Sequence, residues 1–196
     1  MIFNRMCSLS LLGLCLMACQ NSGISHINDQ QKPIDQEALV MVPEIGLVHY
    51  LGKPFSGASV SYYPNGNMAS RIEYQNGKKH GKSMKWFADG SLSYQSEYIR
   101  GKKDGTTSTW WKNGVLRSKS NFKAGVVHGI QSQWYKNGAK FKERTLVNGR
   151  EEGLQQSWRK NGKLYNNYEA KNGRIFGLKR ASLCYELQDE KFKLKD

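Results

Sequence analysis

Four residues that could hold a metal, His80, Asp104, His128 and Glu152, recur at one fixed interval of 24 residues. Imidazole and carboxylate donors meeting within about 2 Å of one ion would make a zinc centre. Hydroxyl nucleophiles are also present at Ser83, Ser108, Ser132 and Ser157, but no G-x-S-x-G elbow surrounds any of them. The carboxylates that could pair for glycoside cleavage are Glu151 with Glu152, and Glu73 or Glu97. The glycines form neither a phosphate loop nor a dinucleotide fingerprint. Whether any of these groups can meet depends on the elements that carry them.

Those elements repeat. Shifted by 24 residues, Gly57, Gly81, Gly105, Gly129, Gly153 and Gly177 superimpose, as do Gly66, Gly90, Gly114, Gly138 and Gly162, and again Gly77, Gly101, Gly125, Gly149 and Gly173. Three registered glycine columns over five units mark a tandem architecture. An Asn-Gly or Asp-Gly pair opens each second column (Asn65, Asp89, Asn113, Asn137, Asn161), which predicts a hairpin turn of type I′. A column of large aromatics precedes it (Tyr62, Trp86, Trp110, Trp134, Trp158), and a second large-residue column follows (Tyr74, Tyr98, Phe122, Leu146). Stacked along one face, these would make the core. No stretch has a sustained helical period.

The expected fold is therefore all-β: an elongated antiparallel meander of five tandem 24-residue hairpins, forming a solenoid-like sheet. With strands about 4.8 Å apart, equivalent residues of neighbouring units lie about 10 Å apart, and His80 about 20 Å from His128. No single metal can span that column. Its members are expected to cap turns, and no metal or cofactor is expected.

Adjacent residues of a strand face opposite sides. One member of each pair Trp86-Phe87, Trp110-Trp111 and Trp134-Tyr135 should thus be core. The others, Phe87, Trp111 and Tyr135 with Tyr63 before them, form either a sugar- or partner-binding stripe or a covered structural row. Charge is the second surface feature. Residues 57–177 hold 22 Lys and Arg against 8 Asp and Glu, an excess of +14 that equals the whole chain's 30 against 16. Lys112, Lys136 and Lys160 flank one turn row; Lys78, Lys79, Lys102, Lys103, Arg150 and Arg174 flank the other. Such combs attract extended anionic surfaces, or simply keep the face solvated.

The N-terminus suggests where that surface would act. Arg5 precedes the apolar run Leu9–Cys19, too short to span a bilayer and shaped like a secretory signal. The ending Leu16-Met17-Ala18-Cys19 resembles the bacterial lipobox, which implies cleavage before Cys19 and acylation of its sulfur. Gln20 is not the Asp of an inner-membrane retention signal, which points to the outer membrane if the host is Gram-negative. Cys7 and Cys15 would leave with the signal, so Cys184 has no intramolecular partner and reads best as a packed strand thiol. Residues 20–38 are polar and predict a tether.

The units "GASVSYYPNG", "GKSMKWFADG", "GTTSTWWKNG" and "GIQSQWYKNG" resemble the bacterial variant of the MORN repeat, with its G-x(4)-[WY]-[YWF]-x-[ND]-G core. "GLQQSWRKNG" departs from it at Arg159. The likeness covers about three-fifths of the chain and is compatible with membrane association and scaffolding, while repetition itself argues against an enzyme, whose site needs unlike groups converging. The expected division is a signal peptide at 1–18, a lipid-anchored tether at 19–44, the repeat domain at 45–177 with a partial unit at its start, and a cap at 178–196. The expected role is an envelope lipoprotein, held by lipid on Cys19, that contacts a protein partner or an anionic membrane or glycan surface. Phe87, Trp111, Tyr135, Lys112, Lys136 and Lys160 would be its contact residues. Nucleic acid is not an expected partner, because an exported lipoprotein rarely meets it. The alternatives are an antitoxin-like neutraliser, implied by some carriers of the repeat, and a glycan-binding or hydrolytic module with its site in the cap.

Overall fold

A computed structural model describes residues 32–180. Cys19, Cys184 and all but the first residues of the 178–196 segment lie outside that range. Seventeen strands form: β1 Ile34–Asp35, β2 Val40–Val42, β3 Leu47–Tyr50, β4 Lys53–Pro54, β5 Gly57–Tyr62, β6 Met68–Gln75, β7 Lys78–Trp86, β8 Leu92–Ile99, β9 Lys102–Lys103, β10 Gly105–Trp110, β11 Leu116–Lys123, β12 Val126–Val127, β13 Gly129–Trp134, β14 Lys140–Val147, β15 Arg150–Trp158, β16 Leu164–Lys171 and β17 Arg174–Leu178. Fourteen make one sheet, in the order β1-β5-β6-β7-β8-β10-β11-β13-β14-β15-β16-β17, with the short β9 on β8 and β12 on β11. The other three, β2 to β4, form a small separate sheet. The all-β meander is as expected, with one exception at its start, where β1 runs parallel to β5.

The two turn rows differ from the sequence expectation. In the Asn-Gly row the Gly66 N–H donates to Tyr63 O at 2.9 Å, and only the glycine takes a positive φ, of 84°. Ser61 pairs with Ser70 but Tyr62 with Met68, so the ladder slips by one residue. This is a type I turn followed by a glycine bulge, not the type I′ turn the Asn-Gly pairs suggested. Asn65 serves through its side chain, whose Oδ1 accepts the Asn67 N–H at 3.1 Å; Asp89, Asn113, Asn137 and Asn161 do the same in their units. Type I′ turns occur instead at the opposite ends, where two successive residues have positive φ, as at Asn76 (50°) and Gly77 (75°).

The strands also carry a break at Gly81, Gly105, Gly129 and Gly153 of the first glycine column. Ile72 pairs with Ser83 and Tyr74 with Lys79, leaving Gly81 in a bulge at φ 84°. A Cβ added to Gly81 would meet only the movable tip of the Glu73 side chain, so it is the backbone conformation that calls for glycine there.

Apolar burial is concentrated at one end. Val48, Phe55, Ile72 and Tyr74 are buried together, with Ile34, Leu39 and Tyr50 packed around them. Phe55 lies centrally, with its ring 5.7 Å from Tyr74 and 6.1 Å from Tyr50. Each fully buried side chain of this size stabilises by about 1.5–3 kcal/mol. The segment at 19–44 is thus not tether throughout, because β1, a 3-10 turn at Gln36–Ala38 and β2 lie within it. Isolated Ile34 and Leu39 gave little sequence signal, yet both pack on this cluster.

Beyond that cap the expected apolar core is thin. Tyr74, Leu146 and Ala170 of the second large-residue column are buried. The preceding aromatic column is not: Trp86, Trp110, Trp134 and Trp158 are half-buried and Tyr62 is 55 % exposed. The centre of the inner face is instead a polar column, Ser59, Ser83, Thr107, Gln131 and Gln155, all buried. At the far end β17 is exposed along its whole length.

Ala124 and Arg100 occupy the first position of type I′ turns at φ 51° and 49°, where three other units carry Asn. A Cβ in this region costs about 1 kcal/mol unless the side chain compensates. Ala124→Asn should raise the urea midpoint by the equivalent of about 0.5–1 kcal/mol at unchanged slope. A lowered midpoint would contradict the turn assignment.

Candidate binding surfaces

Both turn rows are tied to the next unit, and this fixes where the expected contact residues sit. In the glycine-bulge row, Tyr63 donates its hydroxyl to Trp86 O at 2.8 Å. Trp111 donates its indole N–H to Trp134 O at 3.1 Å, and Tyr135 its hydroxyl to Trp158 O at 2.9 Å. Asn65 Nδ2 donates to Ala88 O at 2.7 Å and Asn113 Nδ2 to Lys136 O at 2.9 Å. The second aromatics are therefore half-buried spokes reaching from one unit to the next, rather than an open stripe. Phe87 has no polar atom and makes no such bond.

In the type I′ row the backbone provides the tie. The Gly101, Gly125 and Gly149 N–H groups donate to Lys79, Lys103 and Val127 carbonyls at 2.7, 2.7 and 2.9 Å. Beside each, a side chain accepts the N–H of the preceding turn residue. Ser56 Oγ accepts from Asn76 at 2.8 Å, His80 Nδ1 from Arg100 at 3.5 Å and Asp104 Oδ2 from Ala124 at 2.9 Å. His128 Nδ1 accepts from Asn148 at 3.4 Å and Glu152 Oε2 from Asn172 at 3.2 Å. The His/Asp/Glu column thus reaches forward to the next turn, as expected of capping residues.

Lys112, Lys136 and Lys160 are exposed along the first row, and Lys78, Lys102, Arg150 and Arg174 along the second. Lys112 Nζ lies 3.9 Å from Asp89 Oδ2. Hydrogen bonds from Ser91 hold the Asp89 carboxyl below its usual range, and Lys112 adds to this. Other cations lie over rings: Lys103 over Phe122 at 4.9 Å, Lys79 over Tyr98 at 5.4 Å and Arg117 over Trp111 at 4.7 Å. Such stacking stabilises by about 0.5–1 kcal/mol at exposed sites and commits part of the positive charge to architecture.

A cavity of about 190 Å³ opens near the C-terminal end of the sheet, lined by Lys142, Arg144, Glu151, Gln155, Lys179 and Arg180 among others. The sequence contained its signal, in a break of the repeat that the glycine alignment passed over. The position of Lys142 is Ser70, Tyr94 and Ser118 in earlier units; that of Arg144 is Ile72, Ser96 and Ser120. Arg144 stands cross-strand between Gln131 and Gln155. Burial first, then the neighbouring Arg144, holds the Lys142 ammonium below its usual pKa. Tyr168 donates its hydroxyl to Glu151 Oε2 at 2.9 Å, and Lys179 Nζ lies 3.8 Å from the same oxygen.

Two outcomes check this geometry. Tyr135→Phe keeps the ring and removes the bond to Trp158 O, so it should destabilise by about 1 kcal/mol, whereas Phe87→Tyr supplies a missing spoke and should stabilise. Equal thermal midpoints for all three proteins would count against the spokes. Burial, with Glu151 beside it, pushes Tyr168 from 10.0 up to about 12, so the folded chain keeps a proton that the unfolded chain releases. This stability is complete below pH 10 and is lost as pH rises towards 12. Tyr168→Phe should therefore show a shallower alkaline loss of stability than the parent in denaturant titrations.

The MORN repeat variant family matches at residues 56–76 and 103–124, the first and third units. No curated protein matches the chain significantly. Two of the five hairpin units thus match the MORN repeat variant by sequence, and the others follow the same 24-residue plan in structure.

Proposed function

We propose that the protein is a non-enzymatic scaffold of the bacterial envelope, anchored by lipid on Cys19, whose exposed basic turn row rests on an anionic membrane or glycan surface. Repeats of this type are generally protein- or membrane-binding. The observation that carries the reading is the exposed alignment of Lys112, Lys136 and Lys160, one in each of the last three units, with the first two turns tied together. Lysines spaced about 10 Å apart along a fixed edge can all face one plane. Each basic residue near an anionic bilayer contributes about 1 kcal/mol, so three acting together alter partitioning substantially. Two acyl signals or an acyl chain with a basic patch are what stable anchoring requires, and this chain would have both elements.

Sedimentation with vesicles containing anionic lipid measures the edge directly. The triple variant Lys112→Ala, Lys136→Ala, Lys160→Ala should partition at least tenfold more weakly, and parental binding should fall steeply with salt. Binding that is indifferent to both would contradict an electrostatic edge. For the anchor, palmitate labelling in cells should disappear in Cys19→Ala. Persistence of the label in that variant would remove the lipobox from the account.

A further inference from the structure

The cavity at the end of the inner face has the chemistry of a ligand site. A repeat built for stacking alone uses equivalent residues at equivalent places. On the inner face, units one to three place small or apolar side chains and tyrosine where unit four places Lys142 and Arg144. Two adjacent inward cations on β14 break the pattern where β14 and β15 meet the chain's return over β16. There the Arg180 N–H donates to Asn166 Oδ1, which brings Lys179 and Arg180 to the same cavity. Four cations and one carboxylate, Glu151, line it. Since Glu151 is already engaged by Tyr168 and Lys179, the cavity carries a net positive charge in a partly desolvated place. Such a place favours an anionic ligand group.

A second feature narrows the class. Gln155 is 1 % exposed and lines the cavity. Its Nε2 donates to Thr145 O at 2.7 Å and Gly153 O at 3.2 Å, which fixes the carboxamide's orientation. Its Oε1 is buried and has no hydrogen-bond partner among the described residues. A buried acceptor left open costs about 1–3 kcal/mol, which a ligand hydroxyl would recover. A bare anion has no proton to offer this atom. The volume lies below the range of about 300–1,000 Å³ typical of drug-sized ligands, so the part of a ligand that sits inside is about one ring.

We propose that this cavity binds an acidic sugar, a single ring carrying one carboxylate or phosphate held by Lys142 and Arg144, with a ring hydroxyl donating to Gln155 Oε1. The site lies on the inner face and is independent of the basic turn row and of the lipid anchor. A terminal sugar of an envelope glycan and a free sugar acid share this chemistry.

Calorimetric titration of the purified full-length chain with glucuronate, glucose 6-phosphate, glucose and inorganic phosphate tests it. An oligosaccharide ending in glucuronate distinguishes a glycan terminus from a free acid. Glucuronate or glucose 6-phosphate should bind at least tenfold more tightly than glucose or inorganic phosphate. Lys142→Ser and Arg144→Ser restore the residues of the third unit, so they preserve the fold while weakening this binding at least tenfold. The Lys112→Ala, Lys136→Ala, Lys160→Ala variant should bind the sugars as the parent does, even if vesicle binding is lost. The proposal is overturned by absent binding of both acidic sugars, by equal affinity for inorganic phosphate, or by unchanged affinity in both serine variants when their thermal midpoints show folded protein.

Discussion

The structure depends on hydrogen bonds between successive units at both ends of the strands. A one-layer sheet offers little apolar surface to bury, and outside the N-terminal cluster the inner face is centred on Ser, Thr and Gln. What keeps the units in register is a pair of ladders. One is made by Tyr63, Trp111 and Tyr135 reaching to the following carbonyl, and the other by turn glycines donating back to the preceding strand. Each bond contributes about 1 kcal/mol net, so no single one decides stability, but together they resist slippage. A repeat array is stabilised by such nearest-neighbour terms rather than by one centre.

This design has consequences for where chemistry can sit. Most recurring residues are used by the ladders: Tyr63, Trp111 and Tyr135 of the second aromatic column, Asn65 and Asn113 at the bulge turns, and the His/Asp/Glu column at the other end. Their regularity, which first draws the eye as a possible site, is what assigns them to architecture. Lys112, Lys136 and Lys160 are periodic too, but they stay exposed. The positions that break period carry different information. Lys142 and Arg144 are unneeded for stacking, since serine serves at both places one unit earlier.

The glycine columns and alternating strands made the meander legible, because turn chemistry is local and a fixed period multiplies its signal. The type I′ turns lie in the other row from the one predicted, and the reason is specific. Asn-Gly is compatible with two turns, and here the Asn65 side chain caps its own loop while only Gly66 needs a positive φ. The type I′ turns lie at Asn76-Gly77, Arg100-Gly101, Ala124-Gly125, Asn148-Gly149 and Asn172-Gly173, and where Arg or Ala stands first the turn is readable only through its column. The polar centre of the inner face was hidden because Ser59, Thr107 and Gln155 differ in size and type, and their burial depends on flanking rows. The cap at Ile34 and Leu39 was hidden for a similar reason, because both pack non-locally on the cluster of Val48, Phe55, Ile72 and Tyr74. The column of His80, Asp104, His128 and Glu152 was legible from spacing alone, since strand geometry places its members too far apart to converge.

The inter-unit ladder is tested most directly by amide hydrogen exchange at single residues. A glycine at the second position of a type I′ turn on a free hairpin points its N–H to water and exchanges quickly. Here the Gly101, Gly125 and Gly149 amides each donate to a neighbouring unit's carbonyl. They should be protected to about the same degree as strand amides, in native conditions where the sheet does not open globally. Exchange of these three amides at the rate of free turns would show that the units are not bound to one another there, and would contradict the account.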